Sequence, residues 1–388
     1  MPAKILVVST YPPPAEGVAN HTRVIATEWA RTSEVLIAAP GNIQTPCTDP
    51  DGLKIARILG PTRRSLSQAH ELVRAFRPDM VFVQFIIATL TTAIPATIAL
   101  CREAKRQGAS VVVAYHEPAR EFALLGPVAK RIYRSIAATA DVAVVFSVTA
   151  ATTLREARLP GELVVLHHGI PDLVQPSAAD LERLRVAYRL PPGNLILSLG
   201  FIHPYKGTDL LLSVVADIAP RGAGRPAVLI AGSPRKRPGI FKVMELRDHA
   251  YHHRLLAMAK SLPSDVRISF TSFVPEADLP ALLKLARVMV LPYRKDTQSG
   301  IASLAIAAEL PIVCSDQPAL REEIGGSAVY FPPGDRGALR RALTSAIEDD
   351  DLHRSLAAES RRIHCSSSMV KIAQRLLEAP DLCRKHQP

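Results

Sequence analysis

Short, almost wholly apolar runs recur along the chain, with stretches of helical spacing between most of them. The first series falls at residues 3–9, 34–39, 54–59, 80–86, 110–115, 141–146 and 162–166. A second begins at 194–200 and continues at 228–233, 266–273, 288–291, 312–314 and 329–331. Runs that are apolar at nearly every position, rather than at alternate ones, belong to strands buried on both faces, as in parallel sheets covered by helices. Segments between them, for example 93–108, 149–158, 180–189 and 208–219, read as helices. Strand and helix in alternation predict a parallel, doubly wound α/β architecture, in which ligands sit beyond the carboxyl ends of the strands. A chain of 388 residues has room for two such domains, each with its own core.

One stretch of the second series concentrates this logic. Residues 288–316 read VMVLPYRKDTQSGIASLAIAAELPIVCSD: a strand stopped by Pro292, a polar loop, a helix opened by Ser299 and Gly300 and closed before Pro311, then another strand. The first N–H groups of a helix have no internal partners and lie at the positive end of its dipole. A serine able to cap and a glycine that lets a ligand approach the backbone suit an anion such as a phosphate. On these residues alone, an ordinary serine-capped turn is the simpler reading.

Composition narrows the function classes. Apolar residues make up 48% and charged residues 21%, as in a soluble enzyme, and no apolar run reaches the length of a membrane span. The N-terminus enters a strand directly, without the shape of a signal peptide. Five scattered cysteines, with no metal-ligand spacing, predict reduced thiols in a cytoplasmic protein. The net charge of +11 is spread over both halves and favours anionic substrates or an anionic membrane face. Nucleic acid is disfavoured, because aromatics are only 5% and no recognition module is present.

Other strand ends carry candidate chemistry. A proline-rich loop leads to Gly17 and then a helix, without the GxGxxG of a dinucleotide site. His116 follows the run 110–115 and is placed to donate to a sugar hydroxyl or a phosphate, although a structural histidine explains it as simply. His167 and His168 stand together after 162–166, but no third metal ligand lies near them in sequence. After 194–200, the loop Phe201, Ile202, His203, Pro204, Tyr205, Lys206, Gly207 and a helix start make a phosphate cradle. Residues 122–134 mix apolar and basic positions at helical spacing. They read either as a helix on an anionic membrane or as a solvated helix over the sheet.

Together these stretches resemble the retaining glycosyltransferases of the GT-B fold, the "glycosyl transferases group 1" or family-4 type. Counted back from Pro311, the family's first acid falls on Asp296, and its second, eight residues on, falls on Leu304. The TQSG at 297–300 is similar to a branch that uses Ser-Gly there. Where the family has G-R-x-x-x-x-K-G, this chain keeps Gly200, Lys206 and Gly207, with Phe201 at the arginine position and His203 as a nearby weaker cation. The resemblance implies two Rossmann-like domains facing a cleft: an acceptor-side domain at 1–172, a nucleotide-sugar domain at 173–366, and a C-terminal helix at 367–388 that crosses back to the first.

It further implies transfer of a sugar from a nucleotide-diphosphate sugar to a hydroxyl of a glycan or lipid-linked glycan, with retention of configuration. No cofactor and no metal is required beyond the donor. By resemblance the catalytic residues are His116, Lys206 and Asp296. The donor is held by Gly17, His203, Val274 (through its backbone, near the base), Gln298, Ser299, Gly300 and Glu322. The implied location is the cytoplasm, with peripheral contact to the inner face of an anionic membrane. Leu304, Phe201 and Glu309, the last at a usual glycine, depart from the family pattern. A leucine cannot accept the ribose hydrogen bonds that the family's second glutamate takes. The competing reading is a GT-B protein that binds a nucleotide sugar or a partner without chemistry.

Overall fold

The computed structural model describes residues 3–12, 17–41, 47–190, 194–218, 226–234, 243–297 and 299–384. Two compact units form: Met1–Gly169 with Met369–Pro388, and Ile170–Ser368.

The first unit contains β1 (Lys4–Val8), β2 (Glu34–Pro40), β3 (Cys47–Thr48), β4 (Lys54–Leu59), β5 (Met80–Phe85), β6 (Ser110–Tyr115), β7 (Val142–Val145) and β8 (Glu162–Val165). Among the described residues they pair in the order β3-β4-β2-β1-β5-β6-β7-β8. All pairs are parallel except β3 with β4. The hydrophobic pattern missed β3, a two-residue exposed edge strand too short to carry any periodicity. Alternate side chains feed two cores: Leu6, Val81, Val83, Val111 and Val113 on one face, and Ile5, Val7, Phe82, Val112 and Val144 on the other. The helix Met369–Arg384 completes the second of these. Ile372, Ala373 and Leu376 are fully buried in it, and Trp29 Nε1 donates to the carbonyl of Ala373 at 2.8 Å.

The second unit contains β9 (Leu195–Leu199), β10 (Ala227–Ala231), β11 (Ile268–Thr271), β12 (Val288–Leu291), β13 (Ile312–Ser315) and β14 (Ala328–Phe331). They pair in parallel in the order β11-β10-β9-β12-β13-β14. The order reverses between β9 and β12, and in sheets of this kind ligands sit beyond the carboxyl ends of the strands at such a reversal. Helix and strand positions follow the sequence expectation closely. The helix expected over 208–219 ends at Val214 and gives way to a 3-10 turn, Val215–Asp217. No helix among the described residues is long and apolar enough to cross a membrane.

The chain's single tryptophan reports on the first unit alone. Leu376→Ala removes a fully buried side chain from under it and is expected to cost about 2–5 kcal/mol. Urea unfolding followed by Trp29 fluorescence measures this. An unchanged midpoint would mean that the C-terminal helix does not stabilise the first unit.

Candidate active site

The loops after β9 and β12 meet at the reversal of strand order. Gly207 has φ 68°, and a Cβ built there would stand 1.9 Å from the carbonyl oxygen of Pro292. The two loops reach this separation because position 207 has no side chain. Arg294 adds to the join: its backbone N–H donates to the carbonyl of Tyr205 at 2.7 Å, and its guanidinium takes Asp209 with two bonds of 2.7 and 2.8 Å.

This closeness leaves Lys206 half-buried. Its Nζ donates to Tyr293 Oη at 2.5 Å and lies 3.8 Å from the centre of the Tyr293 ring. Tyr293 Oη in turn pairs with Ser299 Oγ at 2.8 Å. Burial holds the ammonium below its ordinary range, at about 8, against the attraction of Glu323. Glu323 is the acid of this cluster. One oxygen accepts the Ser299 N–H at 2.8 Å and the other accepts the Ser303 hydroxyl at 3.0 Å. Burial pushes its carboxyl up to about 7, although those hydrogen bonds and Lys206 all pull the other way.

Several expectations change against this geometry. Ser299 does not cap the helix Gly300–Ala307 with its side chain, because its hydroxyl is engaged with Tyr293. The amide read as a phosphate donor is taken by the chain's own carboxylate. Glu322, carried over by resemblance, lies one residue before the acid that reaches the cluster. Helical spacing from the buried Ala319 and Leu320 points to position 323, and this was the signal that could have found it. Asp296 is exposed, and its Oδ1 accepts the Ala319 N–H at 2.9 Å, capping the helix Pro318–Ile324. His203 Nδ1 accepts the Tyr205 N–H at 3.2 Å, and Nε2 lies 3.4 Å from Asp248 Oδ1, so both ring nitrogens face the protein. Gly300 is exposed with open space around it, Val274 is buried in the core of the second unit, and Gln298 lies outside the described residues.

In the first unit, His116 sits beyond β6 beside His21, His168 and Phe146. Its ring centroid is 5.6 Å from that of His21, 5.8 Å from His168 and 4.8 Å from Phe146. Gln84 Oε1 joins His116 Nε2 at 2.5 Å and His21 Nδ1 at 3.3 Å. Burial, and then the two neighbouring histidines, hold His116 well below its usual range, and burial brings His21 down to about 4. These neutral rings suit hydroxyl groups. His21 Nε2 is enclosed with no hydrogen-bond partner among the described residues. The sequence reading found no third histidine near His167 and His168, but the fold brings His21 and His116 to His168. Even so, no group with metal-binding geometry occurs among the described residues. Gly17 opens its helix at the surface, and a Cβ there would meet nothing.

Comparison with known proteins places both halves. Residues 182–363 match the family "Glycosyl transferases group 1", and residues 15–172 match "Glycosyltransferase Family 4". Over 364 residues the chain is 27% identical to the GDP-mannose-dependent alpha-(1-6)-phosphatidylinositol monomannoside mannosyltransferase of Mycolicibacterium smegmatis, covering 89% of each chain. It is 28% identical over 206 residues to the D-inositol 3-phosphate glycosyltransferase of Jonesia denitrificans, covering 49% of this chain and 45% of that one. It thus spans about half the length of that relative. Among solved structures, Anabaena HepE in complex with UDP-glucose has a TM-score of 0.71 at 15% identity, over 97% of this chain and 98% of that one. A glycosyltransferase from Rickettsia africae has a TM-score of 0.74 at 15% identity, over 99% of both.

Two outcomes follow from the packing around Lys206. Gly207→Ala forces a side chain into left-handed backbone and against Pro292, and is expected to cost more than the roughly 1–2 kcal/mol of the backbone alone, measured by urea unfolding. A loss smaller than that would show that the loops can separate freely.

The second outcome depends on pH. With its folded pKa raised from 4.5 to about 7, Glu323 contributes stability that is full below about 4.5 and gone above about 7. Lys206, depressed from 10.5 to about 8, adds stability only as pH rises through 8 to 10.5. Glu323→Gln keeps a neutral acceptor, so it should melt higher than the wild type at pH 8 and level with it near pH 5. The reverse trend in thermal melts would refute a desolvated carboxyl.

Proposed function

The chain belongs to the glycosyl transferases group 1, a family of retaining hexosyltransferases of the GT-B fold, and on that premise we propose that it transfers a sugar from a nucleotide-diphosphate donor to a hydroxyl of a glycan or lipid-linked glycan. The observation that carries this reading is the half-buried Lys206 at the strand-order reversal of the second unit, held by Tyr293 and attracted by Glu323. In the reaction the bond from the anomeric carbon to the donor phosphate breaks, and the bond to the acceptor oxygen forms on the same face. The acceptor's proton leaves with the phosphate, so no protein nucleophile is invoked. The departing diphosphate gains negative charge, and a cation already stripped of water stabilises that charge more than an exposed one would. Lys206 supplies this charge, and donor binding needs no metal.

Glu323 takes donor hydroxyls, where the family's second glutamate is replaced by Leu304. Its carboxylate is fixed at both oxygens by Ser299 and Ser303 and has lone pairs left to accept from a ribose. His116 and His21, both kept neutral by burial, hold sugar hydroxyls in the first unit. A lipid-linked acceptor is supported by the mannosyltransferase relative, whose name specifies a phosphatidylinositol mannoside. Five scattered cysteines, of which Cys47, Cys101 and Cys314 are free thiols, fit a reducing cytoplasm. Against chemistry stand Phe201 at the arginine position and Asp296 engaged as a helix cap, and they favour the alternative of a binding protein.

A thermal-shift screen with UDP, GDP, ADP and their sugar conjugates, in the presence of a chelator, tests donor binding. One nucleotide should raise the melting temperature, because a ligand of the folded state stabilises it. Lys206→Ala should then lower turnover with that donor by about a hundredfold or more while the protein stays folded. Donor binding without transfer to any acceptor in a broad set would favour the binding protein, and near wild-type turnover of Lys206→Ala would remove the lysine from the mechanism.

A further inference from the structure

In the second unit, the helix Val243–Lys260 carries Arg247, Ala250, Tyr251 and Arg254 at the spacing of one helical face. Tyr251 is buried and anchors this face in the core, whereas both arginines are exposed. Together with Pro204, Asp209 and Arg294 they line a concavity of about 490 Å³. That volume exceeds what a bare phosphate fills and lies in the range of sites for small organic ligands.

Three guanidiniums meet one carboxylate here, and that carboxylate is already engaged. Asp209 accepts both bonds from Arg294 and the Tyr251 hydroxyl at 2.6 Å, while its own N–H donates to the Tyr251 oxygen at 3.1 Å. Arg254 stands 4.0 Å from Asp209, beyond hydrogen-bonding distance. Arg247 has no ion pair or hydrogen bond among the described residues. The acids of the same helix do not answer these charges. Asp248 is buried and faces His203, and Glu245, two residues before Arg247, lies on the far side of the helix. Two positive charges are thus left over in a concave setting, which focuses their field and gathers anions.

Arg294 gives the concavity a fixed wall, because its guanidinium also donates to the carbonyl of Pro204 at 2.8 Å. The place is distinct from the cluster around Lys206. Val288 and Val290 of β12 point into the core that holds Tyr251, and Met289 and Leu291 into the core that holds Tyr293. Alternate residues of a strand face opposite sides, so Tyr251 and Tyr293 are packed on opposite faces of the sheet. Guanidinium forks match the oxygens of a phosphate better than any other side chain does. We propose that this concavity is a second anion site, which takes a phosphorylated small molecule: Arg247 and Arg254 hold the phosphate oxygens against the wall formed by Arg294 and Tyr251. The proposal does not rest on sugar transfer, and its test needs no turnover.

The experiment is isothermal titration calorimetry of the full chain with inorganic phosphate and, separately, with a hexose 6-phosphate, at about 0.1 M sodium chloride so that only close charge contacts count. Saturable binding is expected. Arg247→Gln with Arg254→Gln should weaken it by roughly tenfold or more, since two charge-assisted contacts are lost. Arg247→Gln alone, which breaks no hydrogen bond or ion pair among the described residues, should already weaken it several-fold. The control pair Arg185→Gln with Arg340→Gln removes the same charge from exposed positions elsewhere in the unit and should leave it unchanged. Lys206→Ala should keep the binding that the arginine pair loses. Tighter binding of the hexose 6-phosphate would assign the site to a sugar phosphate, and equal affinities would assign it to the phosphate group alone; both support the site. No saturable binding of either probe would overturn the proposal, as would equal losses in the local and control pairs. So would binding that Lys206→Ala abolishes and the arginine pair retains, which would place the phosphate at the cluster around Lys206.

Discussion

The backbone contact at Gly207 is the constraint on which the donor-side geometry rests. Two loops that leave adjacent strands on either side of a reversal normally diverge and leave a wet crevice. Here the carbonyl of Pro292 comes so close to Cα of residue 207 that any side chain would overlap it. Arg294 then bridges back to Asp209 and to the carbonyl of Pro204, tying the loop after β12 to the start of the helix after β9. Between them the half-buried ammonium of Lys206 has a phenol and an aromatic face in place of part of its solvent. Its depressed pKa and the raised pKa of Glu323 have the same origin: each charge has lost hydration that its neighbours only partly replace.

That strain in solvation is what makes the cluster fit for a charged ligand. An exposed lysine is fully hydrated, and the high dielectric around it weakens its attraction for a diphosphate. A lysine held near its own pKa by burial gains a partner and a reason to stay protonated when an anion arrives. On the proposed reading Glu323 meets donor hydroxyls and not the phosphates, and its carboxyl is held up to about 7 by burial. In the proposed reaction the donor would set its phosphates toward the lysine and its hydroxyls toward the glutamate.

The fold was legible because its strands announce themselves. Strands such as Val81–Val83 and Val111–Val113 lie in a sheet covered on both faces, and no surface residue interrupts the run. The edge strand Cys47–Thr48 had no such signal. Lys206 and Gly207 were legible because their chemistry is local, a cation and a left-handed turn at a strand end. Glu323, Tyr293, Gln84 and His21 were not, because each acquires its meaning from a partner tens of residues away. Gln84 is a fully buried amide in the middle of an apolar strand, and only the fold reveals that it bridges two histidines. Resemblance named Glu322, and the fold brings its neighbour Glu323 to Ser299 and Ser303.

The departures at Leu304 and Glu309 look alike in sequence and differ in physics. Glu309 takes φ 53°, the left-handed value a glycine would adopt at the end of the helix Gly300–Ala307. Leu310 N–H closes that end on the carbonyl of Ala305 at 2.9 Å. The turn is kept at a backbone cost of about 1 kcal/mol, which the pairing of Glu309 with Arg361 partly offsets, so this change alters strain and leaves the chemistry alone. Leu304 packs on the core of the second unit, so its position has passed from ligand side to protein side. The carboxylate beside this helix comes from Glu323 on the neighbouring one, which takes the Ser299 N–H and the Ser303 hydroxyl. Through Ser299 and Tyr293 it belongs to the same cluster as Lys206, so the reversal of strand order gathers one cation and one carboxyl group into a single set of side chains.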